Sequence, residues 1–234
     1  MDSARALNLA PLGTVDYAAA LALQDALVAA RIRGDIGDTL LMLEHPHVFT
    51  LGRGADEHFL LKPADVPVYR VSRGGQVTYH GPGQLIGYPI LKLEGTDRDV
   101  ILYLRRLEQA IIAALARFAI AASRRDGLTG VWVGSQKIAS IGVGIRRWVT
   151  LHGFAVNVTT DLSFFDAIVP CGIEGCHMTS LAAFTTRDAS TAIFADVMAS
   201  EFAAVFGYGL TSIVTPASLW RFVDSTAQRC EARR

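Results

Sequence analysis

The chain has 234 residues, enough for one sizeable hydrophobic core and short for two. Half of it is apolar and about a fifth is charged, with Lys+Arg and Asp+Glu balanced at 22 each, so no net field argues for nucleic acid or an anionic membrane as partner. The opening MDSARALNLAPLG lacks the basic start and long apolar run of a signal peptide, and three cysteines (Cys171, Cys176, Cys230) are an odd number for a disulfide framework, so reduced thiols in a cytoplasmic setting are expected.

In chain order, Asp16 is placed to cap a helix over Tyr17 to Arg31, with Gly34 just beyond it. Thr39 to Glu44 is a short apolar run that reads as a buried strand. His45-Pro46-His47 breaks it, and Val48 to Leu51 resumes. Lys62 to Pro67 reads as a loop and Val68 to Ser72 as a strand. Val77 to Tyr79 and Leu85 to Leu93 are two strands joined through His80-Gly81-Pro82-Gly83. A long helix is expected over Arg98 to Ala122, its apolar stripe formed by Val100, Leu104, Leu107 and Ile111, its solvated face by Arg105, Arg106 and Glu108. Arg117 interrupts its most apolar part, which is too short to span a bilayer. Trp132 to Gly134 and Lys137 to Ile145 form a hairpin about Gly134-Ser135, and Trp148 to Val158 is a further strand. Asp161 to Val169 is irregular or a helical turn. Thr186 or Asp188 caps a helix reaching Phe206, and a short helix near Ala217 to Val223 precedes a polar tail, 225–234, expected to be mobile. With no repeat or linker, this order predicts a single α+β domain over 1–234, a mixed β-sheet with helices mainly on one face.

Three places carry chemistry. Arg73 to Pro89 packs Gly74, Gly75, Gly81, Gly83 and Gly87 between β-formers, beside Arg73, His80 and Gln84. Glycine at that density costs backbone entropy, and a chain accepts it where backbone must turn sharply or approach a ligand; an ordinary glycine-rich hairpin is the plainer reading. Cys171 lies in Val169-Pro170-Cys171-Gly172, where proline and glycine fix a tight turn that presents the thiol. Lys137 enters an otherwise apolar strand, so it must snorkel to solvent or find a partner. Cys176-His177, with His45 and His47, raises a zinc reading, but Cys-x4-Cys without a second well-spaced pair is no standard finger, and no metal is expected.

The glycine-rich stretch resembles the signature of the lipoyl(octanoyl) transferase family, met here by Arg73, Gly74, Gly75, Thr78, Tyr79, His80, Gly83, Gln84 and Tyr88. The resemblance runs from about Leu43 to Cys176. It implies the fold of the catalytic domain shared with biotin and lipoate protein ligases, and no cofactor. It implies that Cys171 is an acyl-carrying nucleophile and Lys137 its partner. Arg73, Gly74, Gly75, Gln76, Val77, Thr78, Tyr79 and His80 should wall an acyl pocket, together with Ser140, Ile141, Gly142, Gly153, Phe154 and Ala155. The implied donor is octanoyl-acyl carrier protein. The implied acceptors are lipoyl domains of 2-oxoacid dehydrogenase complexes and the glycine cleavage H protein. The pairing has a physical basis: a free thiol is only a few per cent thiolate at neutral pH, and an ammonium within a few ångströms favours the thiolate. His80 is expected to orient the site by hydrogen bonding rather than act as base. Arg105-Arg106, Arg124-Arg125 and Arg146-Arg147 are candidates for meeting an acidic carrier, ordinary solvated charge being the plainer reading. The alternatives are an ATP-dependent lipoate or biotin-type protein ligase on the same fold, a noncatalytic acyl- or lipoyl-domain-binding protein, and, more weakly, a Cys-His hydrolase.

Overall fold

The computed structural model describes residues 5–63, 65–173, 175–185 and 189–231, the side chains of 210 and 224–231 excepted. Eleven strands and four α-helices are present among them. The strands are β1 (Arg5–Thr14), β2 (Thr39–Glu44), β3 (Val48–Leu51), β4 (Val68–Arg70), β5 (Val77–His80), β6 (Gln84–Ile90), β7 (Ser123–Arg125), β8 (Leu128–Val133), β9 (Gln136–Arg146), β10 (Val149–Asn157) and β11 (Tyr208–Ile213). The helices are α1 (Tyr17–Arg33), α2 (Val100–Ala116), α3 (Thr191–Phe206) and α4 (Pro216–Glu231). The main sheet runs β11-β1-β2-β6-β10-β9-β8-β7, and a smaller one runs β4-β3-β5. Pairing is parallel at β11-β1, β1-β2 and β3-β4 and antiparallel elsewhere, so the expected mixed sheet is present.

Period-2 alternation splits the main sheet into two faces. Leu40 and Met42 of β2 join a core with α2 and α3, built around Leu107, Ile111, Phe194 and Phe202. Leu41 and Leu43 turn the other way, onto Leu23, Leu27 and Val28 of α1 and Leu219 of α4. The helices therefore cover both faces, two on each, where the sequence reading placed them mainly on one. A sheet whose inner strands are apolar at consecutive positions, as β2 is, needs cover on both sides.

Several local expectations hold because their causes are local. Asp16 accepts from the Ala18 and Ala19 N–H groups at the start of α1, and Gly34 closes it in the left-handed region at φ 85°. Other expectations change. β1 is a strand despite Pro11, which sits where the β1-β2 register shifts, one of the few sheet positions that tolerates a missing N–H. α2 begins after an Asp99 cap and stops at Ala116, not Ala122, and β7 follows it. Val100 is exposed, while Glu108, assigned to the solvated face, is completely buried. Ser190 caps α3; Thr186 and Asp188, expected there, lie outside the described residues. β11 leaves α3 directly at Gly207, and α4 runs from Pro216 to Glu231, beyond the short helix expected near Ala217 to Val223.

Candidate active site

The centre of the site is built where β9 and β10 pair. Ser140 faces Ala155, Ile141 faces Phe154 and Gly142 faces Gly153 across the ladder. The Arg73–Gln76 loop docks onto this pair, the Gly74 N–H donating to the Val143 carbonyl at 2.9 Å. Gly153 is required there: a Cβ would stand 2.2 Å from the Gly87 carbonyl oxygen, which is backbone of the neighbouring β6 and cannot yield.

Between these strands and the loop lies a narrow cleft. Its empty space is about 470 Å³ counted out to the mouth. Arg73, Gly75, Gln76, Val77, Thr78, His80, Ser140, Ile141, Gly142, Gly153, Phe154, Ala155 and Cys171 line it. Two expected wall residues are elsewhere. The backbone of Gly74 is spent on the dock to Val143, and Tyr79 is buried in the small-sheet core, stacked on Phe164 with its hydroxyl at 2.7 Å from His47 Nδ1. Three lining residues were not expected: Tyr17, Tyr88 and His152. A tyrosine at the start of a helix, or inside an apolar strand, reads as core in a sequence, and no periodicity marks it as pocket.

Arg73 is a buried guanidinium held by oxygens that carry no charge. Nη2 donates to the Thr50 carbonyl at 2.7 Å and to Thr50 Oγ1 at 2.8 Å, Nη1 to the Gly74 and Gln76 carbonyls, while Nε has no partner among the described residues. Burial lowers its pKa; the electrostatic influence of Tyr17, Cys171 and Tyr88 acts the other way. From Thr50 a hydrogen-bond chain runs inward. With Oγ1 accepting from Arg73, the Thr50 hydroxyl is left to donate to His80 Nε2 at 3.4 Å. His80 Nδ1–H then donates to Gln84 Oε1 at 2.8 Å, Gln84 Nε2 to Asn157 Oδ1 at 2.8 Å, and Asn157 Nδ2 to the Thr179 carbonyl at 3.0 Å. This fixes the imidazole in one tautomer. Burial, with His45 second, pushes the His80 pKa down to about 3, so it is neutral at physiological pH. Burial likewise holds His45 and His152 at about 4.

Cys171 sits in the short 3₁₀ turn Pro170–Gly172 at φ 57°, ψ 15°, left-handed backbone that a residue with a Cβ rarely adopts. The neighbourhood over-determines it: the Gly172 N–H donates to Val169 and the Ile173 N–H to Pro170. The segment after the turn is stitched to Lys137, whose N–H donates to the His177 carbonyl and whose carbonyl accepts from the Thr179 N–H, both at 2.9 Å. That stitching brings two distant residues together. Lys137 does not snorkel; it is 1% exposed, and its Nζ lies 3.0 Å from Cys171 Sγ, 3.3 Å from the Thr129 carbonyl and 5.0 Å from the centre of the Trp132 ring. Ser140 Oγ is 3.8 Å from the sulfur. Cys176, a second free thiol, has its pKa raised by burial. Cys230 lies among the residues whose side chains are not described.

Among the described residues no group of three or more His, Cys, Asp or Glu is placed to hold a metal ion, and His45 and His47 are engaged by Tyr88 and Tyr79. No described helix is long and apolar enough to cross a membrane. The paired arginines mostly meet intramolecular partners: Arg105 and Arg124 reach Glu108, Arg106 reaches Asp97 and Arg146 reaches Asp25.

The helix-covered mixed sheet belongs to a known class, the fold of lipoate protein ligase catalytic domains. Residues 16–203 match the lipoyl protein ligase A/B catalytic domain family. The chain is 52% identical to the octanoyltransferase of Solibacter usitatus over 206 residues, 86% of this chain and 93% of that protein. It is 47% identical to the octanoyltransferase of Synechococcus elongatus over 93% of each. The chain belongs to the octanoyltransferase family. Its fold is also that of a bipartite lipoate protein ligase of Thermoplasma acidophilum, at a TM-score of 0.75, 16% identity and 94% and 91% coverage of the two chains. The same holds for a lipoate-protein ligase A solved with ATP, at a TM-score of 0.72, 16% identity and 95% and 94% coverage.

Proposed function

We propose that this protein is an octanoyltransferase of protein lipoylation, moving octanoyl from acyl carrier protein to a lysine ε-amine of a lipoyl domain through a thioester on Cys171, without a cofactor. The observation that carries the proposal is the 3.0 Å approach of Lys137 Nζ to Cys171 Sγ beside the cleft. A charge-assisted hydrogen bond from an ammonium stabilises a thiolate, the nucleophilic form of cysteine. In the first half-reaction the thiolate attacks the thioester carbonyl carbon. The new bond forms at Sγ, the bond to the carrier sulfur breaks, and Lys137 gives a proton to the departing thiolate. In the second, the neutral amine of the acceptor lysine attacks the octanoyl-enzyme and its proton passes to Lys137. The amide forms, Cys171 leaves as thiolate, and the ammonium–thiolate pair is restored. One thioester is traded for another and then for a more stable amide, so ATP has no part.

The narrow cleft suits a single-file alkyl chain, walled by Val77, Ile141, Phe154 and the bare backbone of Gly75, Gly142 and Gly153. The acceptors this reading implies are the lipoyl domains of 2-oxoacid dehydrogenase complexes and the glycine cleavage H protein. The test is intact mass after incubation with octanoyl-acyl carrier protein. The wild type should gain one octanoyl group at Cys171 and lose it on addition of a lipoyl domain, and Cys171→Ser should gain none. An ATP-dependent ligase would retain lipoylation activity in Cys171→Ser, and a binding protein would gain no covalent mass in either form.

A further inference from the structure

Glu108 touches no reacting atom, yet its carboxylate is fully buried on α2. Oε2 accepts from Arg105 at 2.7 Å and from Arg124 at 3.0 Å. Oε1 accepts from a backbone group, the Gly130 N–H, at 3.1 Å. Gly130 lies against Lys137: at φ +140°, a Cβ on it would stand 2.7 Å from Lys137 Cε and 3.2 Å from Nζ. The carbonyl of the preceding residue, Thr129, accepts from Nζ. The β8-β9 register shifts between Val131 and Trp132, so regular strand pairing does not align Thr129 and Gly130 opposite Lys137. The Glu108 hydrogen bond is a second hold on Gly130, which also lies against the Ala139 carbonyl of β9.

We propose that Glu108 is a positioning residue: by holding the Gly130 N–H it sets the Thr129 carbonyl and the bare Gly130 backbone as the cradle that aims the Lys137 ammonium at Cys171. The proposal deepens the transfer mechanism above and rests on that reading for its consequence in catalysis. Its geometric content, that Glu108 controls the Lys137–Cys171 contact, is independent of the substrate. Arg105 and Arg124, 44% and 36% exposed at the side chain, can turn to water if the charge is lost; the Gly130 N–H, which is buried, cannot. The acceptor oxygen at the right reach is therefore the property that matters, more than the charge.

Two conservative variants separate these properties. Glu108→Gln keeps an acceptor at the same reach and removes the charge. Glu108→Asp keeps the charge and withdraws the acceptor by one methylene. The rate of Cys171 alkylation by iodoacetamide, read by peptide mass mapping so that Cys176 and Cys230 are resolved from it, reports the ammonium–thiolate contact without any octanoyl donor. Alkylation is expected to slow about tenfold in Glu108→Asp, corresponding to about 1.4 kcal/mol of lost contact, and to stay near wild type in Glu108→Gln. The kcat of octanoyl transfer should follow the same order with KM for the carrier unchanged. A Gln variant slowed as much as the Asp variant, or two variants that both alkylate at the wild-type rate, overturns the proposal. If alkylation follows the expected order while wild-type Cys171 takes no octanoyl group, the positioning role stands and the transfer reading falls. If the wild type forms the thioester and Glu108→Asp alkylates normally, the transfer reading stands and the positioning role falls.

Discussion

Lys137→Met removes the ammonium and keeps a chain of similar reach in a site that is 1% exposed. In the proposed mechanism the lost interaction is the hydrogen bond of Nζ to the sulfur at 3.0 Å. Hydrogen bonds to charged groups are worth about 1.5–3 kcal/mol, which converts to roughly 10- to 160-fold in rate if the whole contact serves the attacking thiolate. Octanoyl-thioester formation under single-turnover conditions, followed by intact mass, should slow within that range. Stability should move the other way. Among the described residues the two hydrogen-bond partners of Nζ are a carbonyl and a sulfur, so replacing the lysine strands no carboxylate. Replacing buried charge by a well-packed apolar group is often stabilising by about 1–4 kcal/mol, and a domain of this size gains roughly 2–4 °C in Tm for each kcal/mol. A variant that is slower and melts higher is the expected result. Unchanged acylation refutes the assignment of Lys137, and a fall in Tm refutes the claim that the ammonium is held at a cost to the fold.

Gly153→Ala sets a methyl 2.2 Å from the Gly87 carbonyl oxygen and 2.6 Å from Pro89 Cδ, in the middle of the main sheet. Overpacking of this kind costs about 1–3 kcal/mol or more, so thermal denaturation should begin roughly 2–12 °C lower; an unchanged Tm contradicts the packing. The buried histidines set an acid limit. Their folded pKa values, about 4 for His45 and His152 and about 3 for His80, lie below the ordinary 6.5, so between these limits the unfolded chain binds more protons than the folded one. Stability is full above pH 6.5 and falls as the pH drops toward 4, by up to about 1.4 kcal/mol per pH unit for each histidine. Urea denaturation across that range should show the slope, and His45→Gln should flatten it; a slope indifferent to the substitution removes His45 as a source.

What could be read from the sequence was whatever has a local cause. Asp16 and Gly34 bound α1 because capping needs only neighbouring residues, and β2 runs from Thr39 to Glu44 as expected because an unbroken apolar run has few other uses. The glycine stretch and the Pro170–Gly172 turn were legible for the same reason: each states a backbone requirement within a few residues. Long-range consequences were not. β1 contains Pro11 and Gly13, which locally argue against a strand, and only β2 and β11 on either side make it one. Tyr17 and His152 reach the cleft through the packing of α1 and the left-handed backbone of His152 in β10, at φ 56°, which no periodicity encodes. Glu108, expected on the solvated face, carries a contrary signal in the sequence. It stands four residues after Leu104 and three before Ile111, on the apolar stripe itself, and a carboxylate in that position must be buried with partners.

The electrostatics of the cleft give these observations a common cause. Arg73 lines it and Lys137 abuts its cysteine, both almost wholly buried and both bonded to carbonyls, a hydroxyl or sulfur rather than carboxylates. The histidines nearby are held neutral, so they add no competing charge. A fold selected for stability alone would pair such cations or replace them, since an uncompensated buried charge costs several kcal/mol. Retaining two beside one sulfur is sensible if, as in the proposed transfer, negative charge forms there: on the resting thiolate, on the carbonyl oxygen of each tetrahedral intermediate, and on the leaving sulfur. On this reasoning the orphan Nε of Arg73 and the strained backbone of Cys171 share an origin with the buried Lys137. Each is unfavourable on its own, and each lies where that proposed charge would form.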